Sequence, residues 1–146
     1  MVGIVVVGHG RMAEALVTAA EGIVGPIERL ATVDLLPGEG LEIGRGKVLE
    51  AIARADDGDG VVVLADLFGG TPSNCCVDLL DEGRLEMVTG LNLPMLLKAA
   101  TSRAQARDPA RLAAELAAYG RANVLHASEV LRARCRSEGA DGGQEE

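Results

Sequence analysis

The chain has 146 residues, 48% of them hydrophobic and 25% charged, and a formal net charge of −8. This length suits one compact domain, and the apolar content excludes a disordered chain. The negative charge disfavours a nucleic-acid binder, and the single Phe and single Tyr disfavour a site built on stacked aromatic rings. Since we find neither an apolar run of bilayer length nor a signal-peptide pattern, we expect a soluble cytoplasmic protein.

In the first half of the chain, strand-like and helix-like patterns alternate. The apolar run GIVVVG, from Gly3, predicts a strand buried on both faces. Apolar residues then recur at helical spacing over 12–24, and Gly25-Pro26 ends that helix. Residues 27–35 predict a second strand, and LPGEG a turn before a second helix. The predicted apolar stripe of this second helix consists of Leu41, Val48, Leu49 and Ile52.

The second half continues the alternation. VVVLAD, residues 61–66, predicts a central strand, and the loop FGGTP leads to a helix with Thr71 as N-cap and Pro72 in its first turn. Residues 85–89 predict a fourth strand, followed by helices over 95–106 and 109–119. The segment 123–131 is ambiguous between strand and helix, and we expect the acidic end of the chain, SEGADGGQEE, to be disordered.

Strands that alternate with helices indicate a parallel sheet, in which ligands bind beyond the carboxyl ends of the strands. The loops at that edge are therefore the candidate functional segments. They are Gly8-His9-Gly10, the PGE turn at 37–39, residues 66–71 and residues 90–94.

His9 and Asp66 are the candidate chemical groups at this edge. If their strands are neighbours, the Asp66 carboxylate can accept a hydrogen bond from one imidazole nitrogen and leave the other as a nucleophile or base. The helix that begins after Gly10 favours an anion near His9, and Thr71 with the glycine amides of FGGT can add donors around an oxyanion.

Each of these residues could also have a purely structural role. His9 could be a structural helix cap, Asp66 a turn residue, and Arg11 either a solvated charge or a partner for a phosphate or an acidic protein. We expect His126 to be a surface or packing residue. A lone Gly-x-Gly is a weak dinucleotide signal, and one His with one Asp are too few ligands for a metal.

The cysteines match no zinc or redox motif, so we expect them to be small buried hydrophobic residues. They are Cys75, Cys76 and Cys135.

Four segments together resemble one family. They are GIVVVGHGRMAEAL, VDLLPGE, VVVLADLFGGTPSN and VTGLNLPML, and they span most of residues 1–100, with weaker likeness to about residue 130. The chain resembles the IIA component of the mannose family (mannose/fructose/sorbose type) of the bacterial phosphoenolpyruvate-dependent sugar phosphotransferase system, the PTS. The early G-H-G together with D-x-x-G-G-[ST]-P-x-N, here residues 66–74, is the specific combination.

The resemblance implies a role for each matching residue. His9 would accept a phosphoryl group from the phosphocarrier protein HPr, Asp66 would orient its ring, and Thr71 would contact the phosphoryl group. Four glycines would shape the binding pocket, namely Gly8, Gly10, Gly69 and Gly70. The phosphoryl group would then pass to a IIB partner for sugar uptake, with no cofactor, no metal, and membrane contact only indirectly through a permease.

We therefore predict an α/β fold with an open, mainly parallel four-stranded sheet in the order 2-1-3-4 and helices on both faces. The mannose-type IIA domain would cover residues 1–131, followed by an acidic, disordered tail over 132–146. The resemblance further implies a homodimer in which a C-terminal strand, near 123–127, is exchanged and added antiparallel to the sheet edge.

Two other outputs remain open at this point. The same phosphohistidine chemistry would serve a regulatory IIA-like domain, or a phosphoryl donor for a dihydroxyacetone kinase, with no sugar transported. A binding module that uses its glycine loops for a small anion, without chemistry, is the alternative from another class.

Overall fold

The computed structural model of the chain describes residues 1–70, 74, 77, 80 and 83–141. Within this part of the chain, four strands form one parallel sheet in the order β2-β1-β3-β4, as predicted. The strands are β1 (Gly3–His9), β2 (Leu30–Leu35), β3 (Val61–Ala65) and β4 (Leu85–Thr89).

Five helices have both ends in the described residues, and residues 70, 74, 77 and 80 are helical as well. The five helices are α1 (Met12–Val24), α2 (Leu41–Ala55), α3 (Leu93–Ser102), α4 (Pro109–Ala122) and α5 (Ala127–Asp141). Helices α1, α3 and α4 bury apolar side chains against one face of the sheet, and α2 against the other. In the part of the chain that the structure describes, no helix is both long and apolar enough to span a bilayer.

The valine run of β1 explains its central position. Its side chains alternate between the two core clusters, with Ile4 and Val6 facing α1 and Val5 and Val7 facing α2. A strand buried on both faces has no polar side to alternate with, which is why its sequence is continuously apolar. This places the end of β1 between the ends of β2 and β3.

β2 begins later than its apolar pattern predicts, at Leu30 instead of Ile27. The main-chain groups of the three intervening residues have partners outside the sheet, although the Arg29 carbonyl oxygen also accepts from the Ile4 N–H of β1 at 2.9 Å. The Ile27 N–H donates to the Glu21 carboxylate, and the buried Arg103 guanidinium donates to the carbonyls of Glu28 and Arg29. A turn at these residues therefore replaces the first part of the predicted strand.

The predicted apolar stripe of α2 is only partly correct. The side of the helix that faces the sheet consists of Gly44, Val48, Ala51 and Ala55. Leu41 and Leu49 are exposed, and Ile52 is half-buried. Small side chains allow the helix to lie close to the sheet, so the larger leucines are left at its margin.

The end of the chain differs most from the prediction. Residues 124–126 form neither helix nor strand, so the predicted antiparallel strand is not present in this single chain. α5 then continues to Asp141, and the predicted disorder is therefore wrong for residues 132–141. Ala, Leu, Glu and Arg have high helix propensities, and this local preference outweighs the polar composition on which the prediction rested.

The prediction for Cys135 is also wrong, because this thiol is free and exposed on α5. Cys75 and Cys76 lie outside the described residues. His126 lies at the surface with its Nδ1 atom 3.5 Å from Glu129, in agreement with a surface role.

Candidate active site at the strand ends

His9, the last residue of β1, lies beside Asp66, which directly follows β3. The ring Nδ1 atom of His9 is 2.9 Å from Oδ2 of Asp66, and the backbone N–H of His9 donates to the same oxygen at 2.8 Å. The contact predicted from the two neighbouring strands is therefore present. Because an ionised carboxylate can only accept, the proton lies on Nδ1 and the Nε2 atom is left with its lone pair.

The two side chains differ in their exposure to solvent. The His9 side chain is 53% exposed, whereas that of Asp66 is only 9% exposed. Burial acts to raise the pKa of Asp66, but hydrogen bonds from the His9 backbone and ring and from the Leu67 N–H outweigh it and hold that pKa below its usual value. A buried, ionised carboxylate thus orients an imidazole that is open to an approaching molecule.

Gly8 allows α1 to begin close to the strand. A Cβ atom at this position would lie 2.8 Å from the Ala13 nitrogen and 3.1 Å from the Met12 Cβ atom. Gly10 follows with a φ of +62°, a conformation that favours glycine. The chain can therefore turn from β1 into α1 within two residues of His9, with the first turn of the helix directly over the end of the strand.

The loop after Asp66 carries the remaining predicted site residues. Gly69 and Gly70 both have positive φ angles, +102° and +71°, so this turn requires glycine at two successive positions. Thr71, the predicted phosphoryl contact, lies outside the described residues, as does Pro72. Arg11 is exposed at the N-cap of α1, and the structure records no side-chain partner for it among the described residues.

A group of polar side chains lies at the end of β2, and two of them, Asp34 and Lys47, were not predicted as site residues. The Oδ1 atom of Asp34 accepts from the Glu14 N–H of α1 at 3.3 Å, and Lys47 of α2 donates to the Asp34 carbonyl oxygen at 3.0 Å. Lys47 also pairs with Glu39 at 2.6 Å. Glu39 belongs to the PGE turn already singled out as a candidate segment, and the signal for the other two was the polar Asp34 at the end of an otherwise apolar strand and Lys47 beside the apolar residues of α2.

Several large apolar side chains are exposed at the edge of the sheet where His9 lies. Six of them, all on segments that follow the carboxyl ends of strands, are Met12, Leu36, Leu41, Ile43, Leu67 and Phe68. We call them the apolar rim. Phe68, which is 83% exposed, is the most prominent of them. Such a surface suits contact with another protein better than enclosure of a small molecule.

A groove of about 880 Å³ lies farther along the sheet, beside β4. It is lined mainly by apolar side chains, among them Phe68, Val77, Leu80, Met87, Met95 and Val124. His9 and Asp66 are not among its lining residues. Among the residues that the structure describes, Phe68 and the loop that begins at Gly90 connect the groove to the candidate site.

His9 lies where the strand order of the parallel sheet reverses, and its oriented ring is exposed to solvent. These features define a class of protein in which a histidine ring nitrogen can act as a nucleophile and bind a transferred group covalently. A comparison with protein families agrees: the model for the PTS system fructose IIA component matches residues 3–115. The chain belongs to this family, the mannose/fructose/sorbose-type IIA components of the PTS.

Curated relatives point to the same family. The chain is 33% identical over 104 residues to the fructose-specific EIIA component of Bacillus subtilis, covering 70% of this chain and 71% of that protein. It is 34% identical over 103 residues to the mannose-specific EIIAB component of Escherichia coli K12, covering 70% of this chain. The match spans only about a third (32%) of that longer E. coli protein.

Solved structures share the fold. A PTS component EIIA from Streptococcus agalactiae superposes with a TM-score of 0.79 at 26% identity, covering 88% of this chain and 99% of the other. The mannose/sorbose-specific IIA subunit from Enterococcus faecalis superposes with a TM-score of 0.75 at 33% identity, covering 85% and 92%.

Proposed function

We propose that this chain is a phosphoryl carrier of the PTS, which accepts a phosphoryl group from phospho-HPr on Nε2 of His9 and passes it to a IIB partner for sugar uptake. The contact between His9 Nδ1 and Asp66 Oδ2, at 2.9 Å, is the observation that carries the proposal. It fixes the tautomer in which Nε2 is the nucleophile and stabilises the positive charge that the ring acquires when Nε2 is phosphorylated.

In the first step, the Nε2 lone pair attacks the phosphorus of phospho-HPr, and the bond from phosphorus to the HPr nitrogen breaks. In the second step, the new bond between Nε2 and phosphorus breaks as a IIB nucleophile attacks. Such transfers ask the protein mainly for positioning and for stabilisation of charge. The glycine amides of the loop after Asp66, and Thr71, are the proposed contacts of the phosphoryl group.

The apolar rim supports protein partners over a small-molecule substrate. HPr and IIB would contact the same exposed surface in turn, because His9 can be reached from only one edge of the sheet. The surface around it includes both the exposed Arg11 and the large apolar side chains of the rim.

The experiment is incubation with enzyme I, HPr and phosphoenolpyruvate labelled with ³²P. We expect an acid-labile, base-stable label on the wild type and none on His9→Ala. His126→Ala is the matched control, because it removes the only other histidine of the chain and should keep the label. Label that survives in His9→Ala, or an unlabelled wild type, would contradict the proposal.

A dimer is a second part of the proposal. β4 forms one edge of the sheet, and the apolar groove lies beside it. Val124 and Leu125, in the segment between α4 and α5, are both largely exposed in the single chain. We propose that this segment of a second copy adds to the β4 edge, since that would bury apolar side chains that one chain leaves in solvent.

The acceptor of the phosphoryl group that we propose is a IIB domain. A phosphoryl donor for a dihydroxyacetone kinase, or a regulatory IIA-like domain, would use the same site. Incubating the labelled protein separately with a IIB domain and with the kinase tests the choice, and we expect transfer to IIB.

A further inference from the structure

β1, which ends at His9, lies between β3, which Asp66 follows, and β2. The end of β2 therefore contacts the His9 segment on the side opposite to Asp66. In the sheet, Gly8 pairs with Asp34, and His9 with Leu35. The Gly10 N–H donates to the Leu35 carbonyl oxygen at 2.9 Å, and the Glu14 N–H donates to Oδ1 of Asp34 at 3.3 Å. The turn from β1 into α1 is therefore held by β3 on one side and by β2 on the other.

Asp34 of β2 caps the N-terminus of α1 by accepting a hydrogen bond from the Glu14 N–H. The N-cap residue, Arg11, contributes no capping hydrogen bond from its side chain. The capping carboxylate comes instead from a neighbouring strand, so it fixes the first turn of the helix relative to the sheet as well as satisfying an amide.

The first turn of α1 is in turn packed on the residue next to His9. The Ala13 nitrogen and the Met12 Cβ atom lie so close to Gly8 that a Cβ atom there would meet both. A displacement of this turn would therefore shift Gly8 and, with it, the adjacent His9.

Lys47 braces Asp34 from the opposite face of the sheet. Its ammonium group donates to the Asp34 carbonyl oxygen and to Oε1 of Glu39. These two contacts hold the Lys47 ammonium group between Glu39 and the Asp34 carbonyl oxygen. The position of Asp34 is thus set by its strand and by α2 together.

We propose that Asp34 is a positioning residue for His9: its side-chain oxygen anchors the first turn of α1 over Gly8 and so holds the imidazole in the orientation that phosphoryl transfer requires. This inference rests on the proposed function for its catalytic consequence only. It assigns the role to the acceptor oxygen of Asp34 and not to the negative charge of the carboxylate.

Three variants test it. Asp34→Ala removes the acceptor, Asp34→Asn keeps an oxygen of the same reach but no charge, and Asp108→Ala removes a comparable cap elsewhere, since Asp108 Oδ1 accepts from the Ala110 N–H at the start of α4. The rate of transfer from phospho-HPr is measured well below each melting temperature. We expect kcat to fall about 10-fold in Asp34→Ala with little change in KM, because misplacement of a reacting group slows transfer while the apolar rim is intact.

The two other variants should transfer at close to the wild-type rate, although Asp108→Ala should melt at a lower temperature. A wild-type rate in Asp34→Ala, an equal loss in Asp34→Asn, or an equal loss in Asp108→Ala would each overturn the proposal.

A second measurement does not depend on phosphorylation. The ring ¹⁵N chemical shifts of His9 and the hydrogen-exchange rate of its backbone N–H, which donates to Asp66, should both change in Asp34→Ala and remain unchanged in the other two variants. Unchanged His9 signals in Asp34→Ala would overturn the positioning role. An unlabelled wild type would overturn the proposed function while leaving this result to be judged by itself.

Discussion

At the scale of single residues, Asp66 holds His9 by two separate groups. The ring and the backbone N–H of His9 both contact the same carboxylate oxygen. This double contact fixes the ring's rotation as well as its tautomer, so one buried side chain determines where Nε2 points. The orientation of the His9 ring therefore depends mainly on the Asp66 carboxylate.

The first prediction is that Asp66→Asn slows phosphorylation of His9 by about 10-fold or more, because the amide can donate to Nδ1 and so favour the wrong tautomer. The measurement is the initial rate of labelling by phospho-HPr, with circular dichroism as the control for folding. Labelling at the wild-type rate would remove Asp66 from the mechanism.

The second prediction concerns acid. Because the pKa of Asp66 lies below its usual value near 3.8, ionised Asp66 stabilises the folded state, and this contribution is complete above pH 3.8. It is lost as the pH falls through the lowered folded-state pKa. Urea unfolding at pH 6 and at a series of values below 4 should show the stability difference between wild type and Asp66→Asn shrinking towards low pH. A difference independent of pH would contradict the assignment.

At the scale of elements, close approach of α1 to β1 is what brings a helix start and a strand end together at His9. Gly8 of β1 makes this approach possible. At Gly22 of α1, in contrast, an added Cβ atom would have no described atom within 4 Å outside its own helix turn. A side chain is therefore excluded by close packing at Gly8 but has room at Gly22.

The third prediction compares these two glycines. Gly8→Ala should destabilise the fold by about 1–3 kcal/mol, because its Cβ atom would meet backbone, and it should also slow phosphoryl transfer. Gly22→Ala should stabilise the protein by about 0.5–1 kcal/mol, because alanine restricts the unfolded chain at no steric cost. Urea denaturation of both variants measures the two effects, and equal signs would contradict this account of α1.

The elements themselves were largely predictable from the sequence, since strongly periodic segments such as β1, α1 and β3 dominate the sheet. The proximity of His9 to Asp66 followed from their positions at neighbouring strand ends. The roles of Asp34 and Lys47 were not predictable, because both depend on contacts between α1, β2 and α2 that no local pattern records. α5 was missed because composition was weighed above helix propensity.

At the scale of the whole molecule, the described residues of the single chain leave two apolar surfaces exposed. One is the apolar rim around His9, and the other is the groove beside β4. Phe68 belongs to both. A partner at the rim and a second copy at the groove would thus contact neighbouring parts of the same loop.

The fourth prediction is that the protein sediments as a dimer, at twice the 15.1 kDa mass of the chain. Leu125→Asp should shift it towards the monomer, because a charge in the buried segment is costly to desolvate. Ile23→Asp is the matched control, as Ile23 is equally exposed but lies at the far end of α1. Sedimentation of the wild type as a monomer, or equal effects of both variants, would contradict the dimer.

The exposed position of Phe68 has a spectroscopic consequence. The chain has no tryptophan, and Tyr119 is its single tyrosine. Phe68→Trp would therefore place the molecule's sole indole two residues from Asp66, on a side chain that already extends into solvent. Its emission would shift to the blue when a protein covers that loop, with almost no background from the rest of the chain. Binding of a partner at the proposed phosphorylation site could then be followed in real time as a shift in the wavelength of the indole emission.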